Sequence, residues 1–253
     1  MNAINYEILQ DASECFAELD ETICSIASES KNIPTGMAPM FYPDFTNNGR
    51  KILYVGINPS LTDDMLSKFK SVHGDDRTLR LSHFSGLKGA ELDESFSRLI
   101  DFQSALKGRN DRLDGVSRIP YFSSIDELHR EAFGDSDIGW EHFDLFSYRA
   151  TLQKHVVRAF QVRRRNQMKK VDRYFKSSMI RFSKIVEEGG FLGIVILNAA
   201  VSRYVIDPKI IDLDRSSNNT KVRVIRSRQL GGAFPMKPEE RTDLIEQIRL
   251  KFS

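Results

Sequence analysis

Four short apolar runs stop abruptly in polar segments and are separated by helix-length stretches, and this alternation constrains the fold more than any other feature. Arg50–Ile57 reads as a buried central strand ending at Asn58-Pro59-Ser60. Trp140–Tyr148, centred on Phe143-Asp144-Leu145-Phe146, gives a second strand. Phe191–Leu197, closed by Asn198-Ala199-Ala200, gives a third, and Lys221–Ile225 a fourth. Helical spacing runs through Tyr6–Ser28, after Ser123 or Ser124 with Asp126 and Glu127 in the first turn, up to Glu188, and over Pro238–Phe252. Gly189-Gly190 is placed to stop the third of these helices. Between residues 61 and 115 only helical pieces and polar turns are legible. Strands alternating with helices predict an α/β fold, a three-layer α/β/α arrangement on a mostly parallel sheet. The expected organisation is an acidic N-terminal helix, residues 1–33, packed on a single α/β domain, residues 34–253.

In such sheets ligands bind beyond the carboxyl ends of the strands. The segments to inspect are therefore Asn58 to Leu61, Asp144 to Arg149, Asn198 to Arg203 and Arg226 to Gly232. All are polar where the preceding strand is apolar. Gly56 allows close backbone approach and Pro59 fixes the chain direction, which holds the Asn58 amide in a stiff turn. An Asx-type turn that merely closes the strand is the alternative reading. The run has neither the lysine-bearing phosphate loop nor the three-glycine dinucleotide fingerprint.

Net charge is +2, but its distribution is uneven. Residues 1–32 carry seven acids against Lys31, whereas residues 149–184 carry twelve lysines and arginines against Asp172 alone, a net +11. The basic stretch, with Arg163, Arg164 and Arg165 at its centre, suits phosphate; it equally suits a solvated face or neutralisation by the acidic N-terminal helix. A DNA partner is the functional expectation. With no run of about 18 apolar residues, no membrane-spanning helix is expected. Met1 to Gln10 lacks the pattern of a secretory signal. Cys15 and Cys24, nine residues apart in a predicted helix, are about 13 Å apart along its axis, too far for a disulfide. A reducing, cytoplasmic setting follows as an expectation.

Lys51-Ile52-Leu53-Tyr54-Val55-Gly56-Ile57-Asn58-Pro59-Ser60 resembles the first motif of the uracil-DNA glycosylase superfamily, and is closest to the Gly-Ile-Asn-Pro motif of its mismatch-specific branch. The resemblance implies a uracil-DNA glycosylase-like fold and hydrolysis of the N-glycosidic bond of a damaged or mismatched base without metal or cofactor. Asn58 takes the place of the water-positioning asparagine, Gly56, Ile57 and Pro59 belong to the base pocket, and Phe69 is the candidate stacking aromatic. Phe143 to Arg149 is similar to the strand bearing a base-reading asparagine and a later arginine, so Asp144 and Arg149 inherit those places. Val195 to Ala200 resembles the following strand, with Asn198 at its end. Ser60, Arg226, Ser227, Arg228 and Gln229 fall where the superfamily grips DNA.

The chain departs from the pattern at three places. Ser60 follows the proline, Asp144 replaces an amide, and the last loop has no histidine. An ionised carboxylate only accepts hydrogen bonds, so it cannot read uracil as an amide does but can accept from an amino-bearing base such as cytosine. These departures leave two other readings open: a catalytically degenerate nucleic-acid-binding relative, and an unrelated α/β enzyme acting on a small nucleotide or anion. His73, His83, His129, His142 and His155 have no metal-ligand spacing, and the two cysteines cannot supply an iron–sulfur cluster. His142 reads more readily as a lone strand-surface imidazole than as a site residue. Trp140, Phe84 and Tyr121-Phe122 read more readily as packing residues than as stacking or wedging surfaces.

Overall fold

The computed structural model of the chain describes residues 3–10, 50–57, 67, 68, 70, 71, 79–84, 86–108, 119–145, 169–198, 223–227 and 236–252. Their order is β1 (Lys51–Gly56), α1 (Leu81–Phe84), α2 (Gly89–Leu106), α3 (Pro120–Phe133), β2 (Gly139–Asp144), α4 (Lys169–Glu188), β3 (Gly193–Ile196), β4 (Arg223–Arg226) and α5 (Pro238–Phe252). Residues 3–10 are also helical. Among the described residues no helix is long and apolar enough to cross a membrane. The chain divides into two compact units, Met1–Tyr42 with Asn58–Ser117 and Phe146–Arg181, and Pro43–Ile57 with Arg118–Leu145 and Phe182–Ser253.

In the first unit, α2 is one continuous helix of 18 residues where only helical pieces were expected. Its apolar stripe, Phe96, Leu99, Phe102 and Leu106, is buried. This is the spacing of one helix face, which the charged residues between had obscured. His83 Nε2 and Ser95 Oγ, 3.0 Å apart, tie α1 to α2. Arg181, near the middle of α4, is buried and hydrogen-bonds Ser178 Oγ at 3.0 Å. Burial pulls its pKa down to about 10, and Glu7 from the N-terminal helix opposes that pull. One cation of the basic stretch thus faces one acid of the N-terminal segment.

The second unit holds the whole sheet, which is entirely parallel in the order β2-β1-β3-β4. The sheet establishes an α/β fold. β1 is buried along its full length, Lys51 included, as the apolar run Ile52–Val55 requires. Register places Ile52, Tyr54 and Gly56 beside Trp140, His142 and Asp144, so these six residues share a face. α3 covers that face. The Tyr54 hydroxyl hydrogen-bonds His129 Nδ1 at 3.1 Å, and His129 Nε2 donates to the Ile138 carbonyl at 2.8 Å, which puts a proton on Nε2. Burial raises the Tyr54 phenol well above its ordinary pKa, so it keeps its proton. Trp140 is buried edge-on to Tyr54 and donates to Asp126 at 3.2 Å, the packing role expected of it.

α5 covers the other end of the same face. Leu244, Ile245, Ile248 and Phe252 are buried, and Phe252 lies against Gly193. Arg241 and Arg249 clamp α5 to the end of α3 through the Glu131 carboxylate and the Glu131 and Ala132 carbonyls. On the opposite face, Phe182 of α4 stacks on Phe143 at 6.1 Å between ring centroids.

Several element boundaries differ from expectation, β1 and β3 being shorter than Arg50–Ile57 and Phe191–Leu197. α3 starts at Pro120, not after Ser123 or Ser124, because proline is already set for the first helical position. Asp126 and Glu127 therefore fall in its second turn. β2 ends at Asp144 instead of running on to Tyr148: the Leu145 amide makes a last bond to the Gly56 carbonyl at 3.1 Å, and β1 has no further strand residue to offer. β4 covers Arg223–Arg226, slightly later than Lys221–Ile225. α5 spans Pro238–Phe252 as read from the sequence, and α4 ends before Gly190, whose φ is +60°.

Candidate functional site

The carboxyl ends of all four strands lie along one edge of the sheet. Past the strands, the Leu145 amide bonds Gly56, Leu197 bonds Val55 at 3.0 Å, and Ser227 bonds Ile196 at 2.8 Å. β1 and β3 are neighbours, yet the next strand after β1 lies on one side of the pair and the next after β3 on the other. That reversal is the topological switch point at which open α/β sheets leave a crevice. Ile57 and Asn198 follow these two strands, and both are buried.

The densest chemistry is at the β1–β2 end. Asp144 Oδ2 lies 3.2 Å from His142 Nε2, with both side chains almost fully buried. The two residues alternate on one strand and so share a face. His142 is held edge-on by the rings of Tyr121 and Phe122, with centroids 5.3 and 5.2 Å away. Gly56 makes the arrangement possible. A Cβ at this position would fall 2.3 Å from Asp144 Oδ1, 3.1 Å from His142 Cε1 and 3.3 Å from the Tyr121 hydroxyl. Any side chain here would displace the carboxylate. Burial and the adjacent Asp144 carboxylate both raise the Tyr121 phenol well above its usual pKa, so it holds its proton at neutral pH.

In comparisons with protein families, curated proteins and solved structures, nothing matches this chain.

Of the predicted site residues, Gly56 and Asp144 touch directly, and Ile57 continues from β1 into the same edge. Ser227 follows β4 along that edge. Arg226 is exposed, and its register with Ile196, itself beside Val55, puts it on the face opposite Gly56 and Asp144. Asn58, Pro59, Ser60, Phe69, Arg149, Arg163, Arg164, Arg165, Arg228 and Gln229 lie outside the described residues. His142 and Tyr121 were undervalued by the sequence. His142 is not a lone surface imidazole but the buried partner of Asp144, and Tyr121 is half-buried beside it at the start of α3. The signal available for His142 was its two-residue spacing from Asp144 on a strand; nothing local marks Tyr121. Phe84 and Phe122 are core residues, as expected. Among the described residues no group of three or more potential metal ligands comes together.

Chemically, the edge offers a fixed carboxylate acceptor backed by an imidazole donor, with a protonated phenol alongside.

Proposed function

We propose that the chain is a DNA glycosylase-like protein that hydrolyses the N-glycosidic bond of a damaged or mismatched base. The observation that supports it best is the in-register pairing of Gly56 with Asp144. The two strands whose sequences resemble the superfamily's motif strands are neighbours, and the resemblance's base-pocket glycine and base-reading position are in contact. Asn58 follows directly on Ile57 in the sequence and is assigned the attacking water. A base must leave the helical stack to reach such a site, at a cost of a few kcal/mol that contacts to the backbone offset. The basic stretch 149–184 supplies charge of the right sign for those contacts.

A second reading has its own observation. Asp144 stands where the superfamily has an amide and is already engaged by His142, which fits a relative that binds nucleic acid without releasing a base. One experiment separates the two. Oligonucleotides carrying uracil, mismatched thymine or a deaminated purine are incubated with the protein and with Asn58→Ala, and free base is quantified. The glycosylase reading predicts base release that falls roughly a hundredfold or more in Asn58→Ala. Salt-sensitive binding with no free base from any substrate moves the assignment to the binding relative. No binding and no release removes both.

A further inference from the structure

We propose that the outer edge of β4 is a docking site for an extended acidic segment of a partner protein, which joins the sheet as a further strand. β4 ends the sheet on one side, and among the described residues its only strand neighbour is β3. The Ser227 amide bonds the Ile196 carbonyl, so the backbone of Ser227 turns toward β3. Alternation along the strand turns the backbone groups of Arg223 and Ile225 the same way and those of Val224 and Arg226 outward. The Val224 carbonyl is accordingly taken not by β3 but by the Lys251 ammonium of α5, which donates to it at 3.1 Å. The Val224 N–H and the N–H and carbonyl of Arg226 are left on the outer side, where Arg226 is exposed. An extended chain laid alongside supplies the matching carbonyls and amides, which is the geometry of strand addition. β3 lies between this edge and β1, so the surface is separate from the Gly56–Asp144 contact.

Charge selects the occupant. Arg223, Arg226 and the tip of Lys251 gather at this edge, and among the described residues none of them is in an ion pair. Arg223 and Lys251 are engaged only by carbonyls, those of Lys251 and Val224, which leave both charges uncompensated. A second copy of the chain would bring the same three cations against these, the kind of repulsion that keeps like edges apart. A strand bearing Asp or Glu meets them as counter-charges instead. Its carboxylate can draw Lys251 off the Val224 carbonyl and free that acceptor for the incoming backbone. Arg223 and Arg226 are three apart on a strand and so lie on opposite faces, which favours an acidic residue on each face of the added strand. A nucleic-acid strand would satisfy the cations but has no amide and carbonyl repeat to match the backbone groups.

The test uses the full chain and two short fluorescent peptides, one alternating Glu and Val and the other Lys and Val, with binding read by anisotropy. The Glu/Val peptide should bind at least about tenfold more tightly than the Lys/Val peptide and weaken as salt is added. Val224→Pro removes an outward N–H that the ladder to β3 does not use, a change that edge strands tolerate. It should weaken the Glu/Val peptide by about tenfold while the protein melts as the wild type does. Arg226→Glu should weaken that peptide by at least as much, and it decides the matter if Val224→Pro does not fold. Equal binding of the two peptides, binding of neither, or affinity unmoved by Val224→Pro in folded protein or by Arg226→Glu overturns the proposal. A dimer seen in sedimentation of the protein alone and dissociated by Val224→Pro gives the edge to a second copy and overturns it as well. So does an oligodeoxynucleotide that displaces the Glu/Val peptide and is weakened by Arg226→Glu, if Val224→Pro leaves the binding of both unchanged. None of these outcomes bears on base release, so the glycosylase-like reading stands or falls separately.

Discussion

Gly56→Ala is expected to destabilise the protein by about 3 kcal/mol or more and, by disrupting the strand edge, to abolish the proposed base release. The added methyl would sit 2.3 Å from Asp144 Oδ1, well inside contact distance. Neither side can yield cheaply. Moving Asp144 breaks its pairing with His142 in a buried site, and moving β1 breaks its ladders to β2 and β3. Breaking a buried pair by displacing one partner leaves the other without compensation, which makes this the costlier part. Urea unfolding of four proteins checks the cause: wild type, Gly56→Ala, Asp144→Ala and the double variant. Because Asp144→Ala clears the space that the methyl needs, the double variant should be more stable than the sum of the single losses by about 1–3 kcal/mol. Simple additivity would show that the carboxylate is not what forbids a side chain at position 56.

Phe252→Ala is expected to lower the unfolding free energy by about 3–5 kcal/mol, measured as a shift in the urea midpoint at constant slope. The ring is 3% exposed, and its Cε1 lies only 1.9 Å from where a Cβ on Gly193 would be. The aromatic therefore fills the side-chain position that β3 leaves vacant. Losing the ring leaves a cavity between α5 and the sheet. Polar contacts also join α5 to β4, Arg223 to the Lys251 carbonyl and Lys251 to the Val224 carbonyl, but they are exposed and individually weak. Gly193→Ala should also destabilise strongly, since the methyl and the ring compete for one volume. A loss below about 1 kcal/mol in Phe252→Ala would mean that the helix end does not close the core.

Both predictions concern features that the sequence reveals unevenly. α5 is legible to the residue because every local signal agrees: Pro238 at the start, Glu239 and Glu240 in the first turn, a Leu244, Ile245 and Ile248 stripe, and Arg249 and Lys251 at the end. β1 is legible because a strand buried on both faces must be apolar throughout. The end of β2 is not, because Leu145-Phe146 continues its apolar pattern past Asp144 while the strand stops where its neighbour stops. A strand's length is set by its partner, and the partner is distant in sequence. The same distinction runs through the site. Gly56 and Asp144 follow from topology, since both end strands of a parallel sheet. His142 follows only halfway: alternation puts it on the same face as Asp144, but the aromatic wall that buries it comes from α3, which no local pattern connects to β2. Tyr121 and the missing side chain at position 56 acquire meaning only once the three elements are assembled.

The most direct test of the account is photo-crosslinking with an oligonucleotide that carries a photoreactive analogue at a single unpaired base. Peptide mapping should place the crosslinks in residues 51–60 and 139–148, where the ends of β1 and β2 meet. Crosslinks found only in the basic stretch 149–184, with none at either strand end, would contradict it.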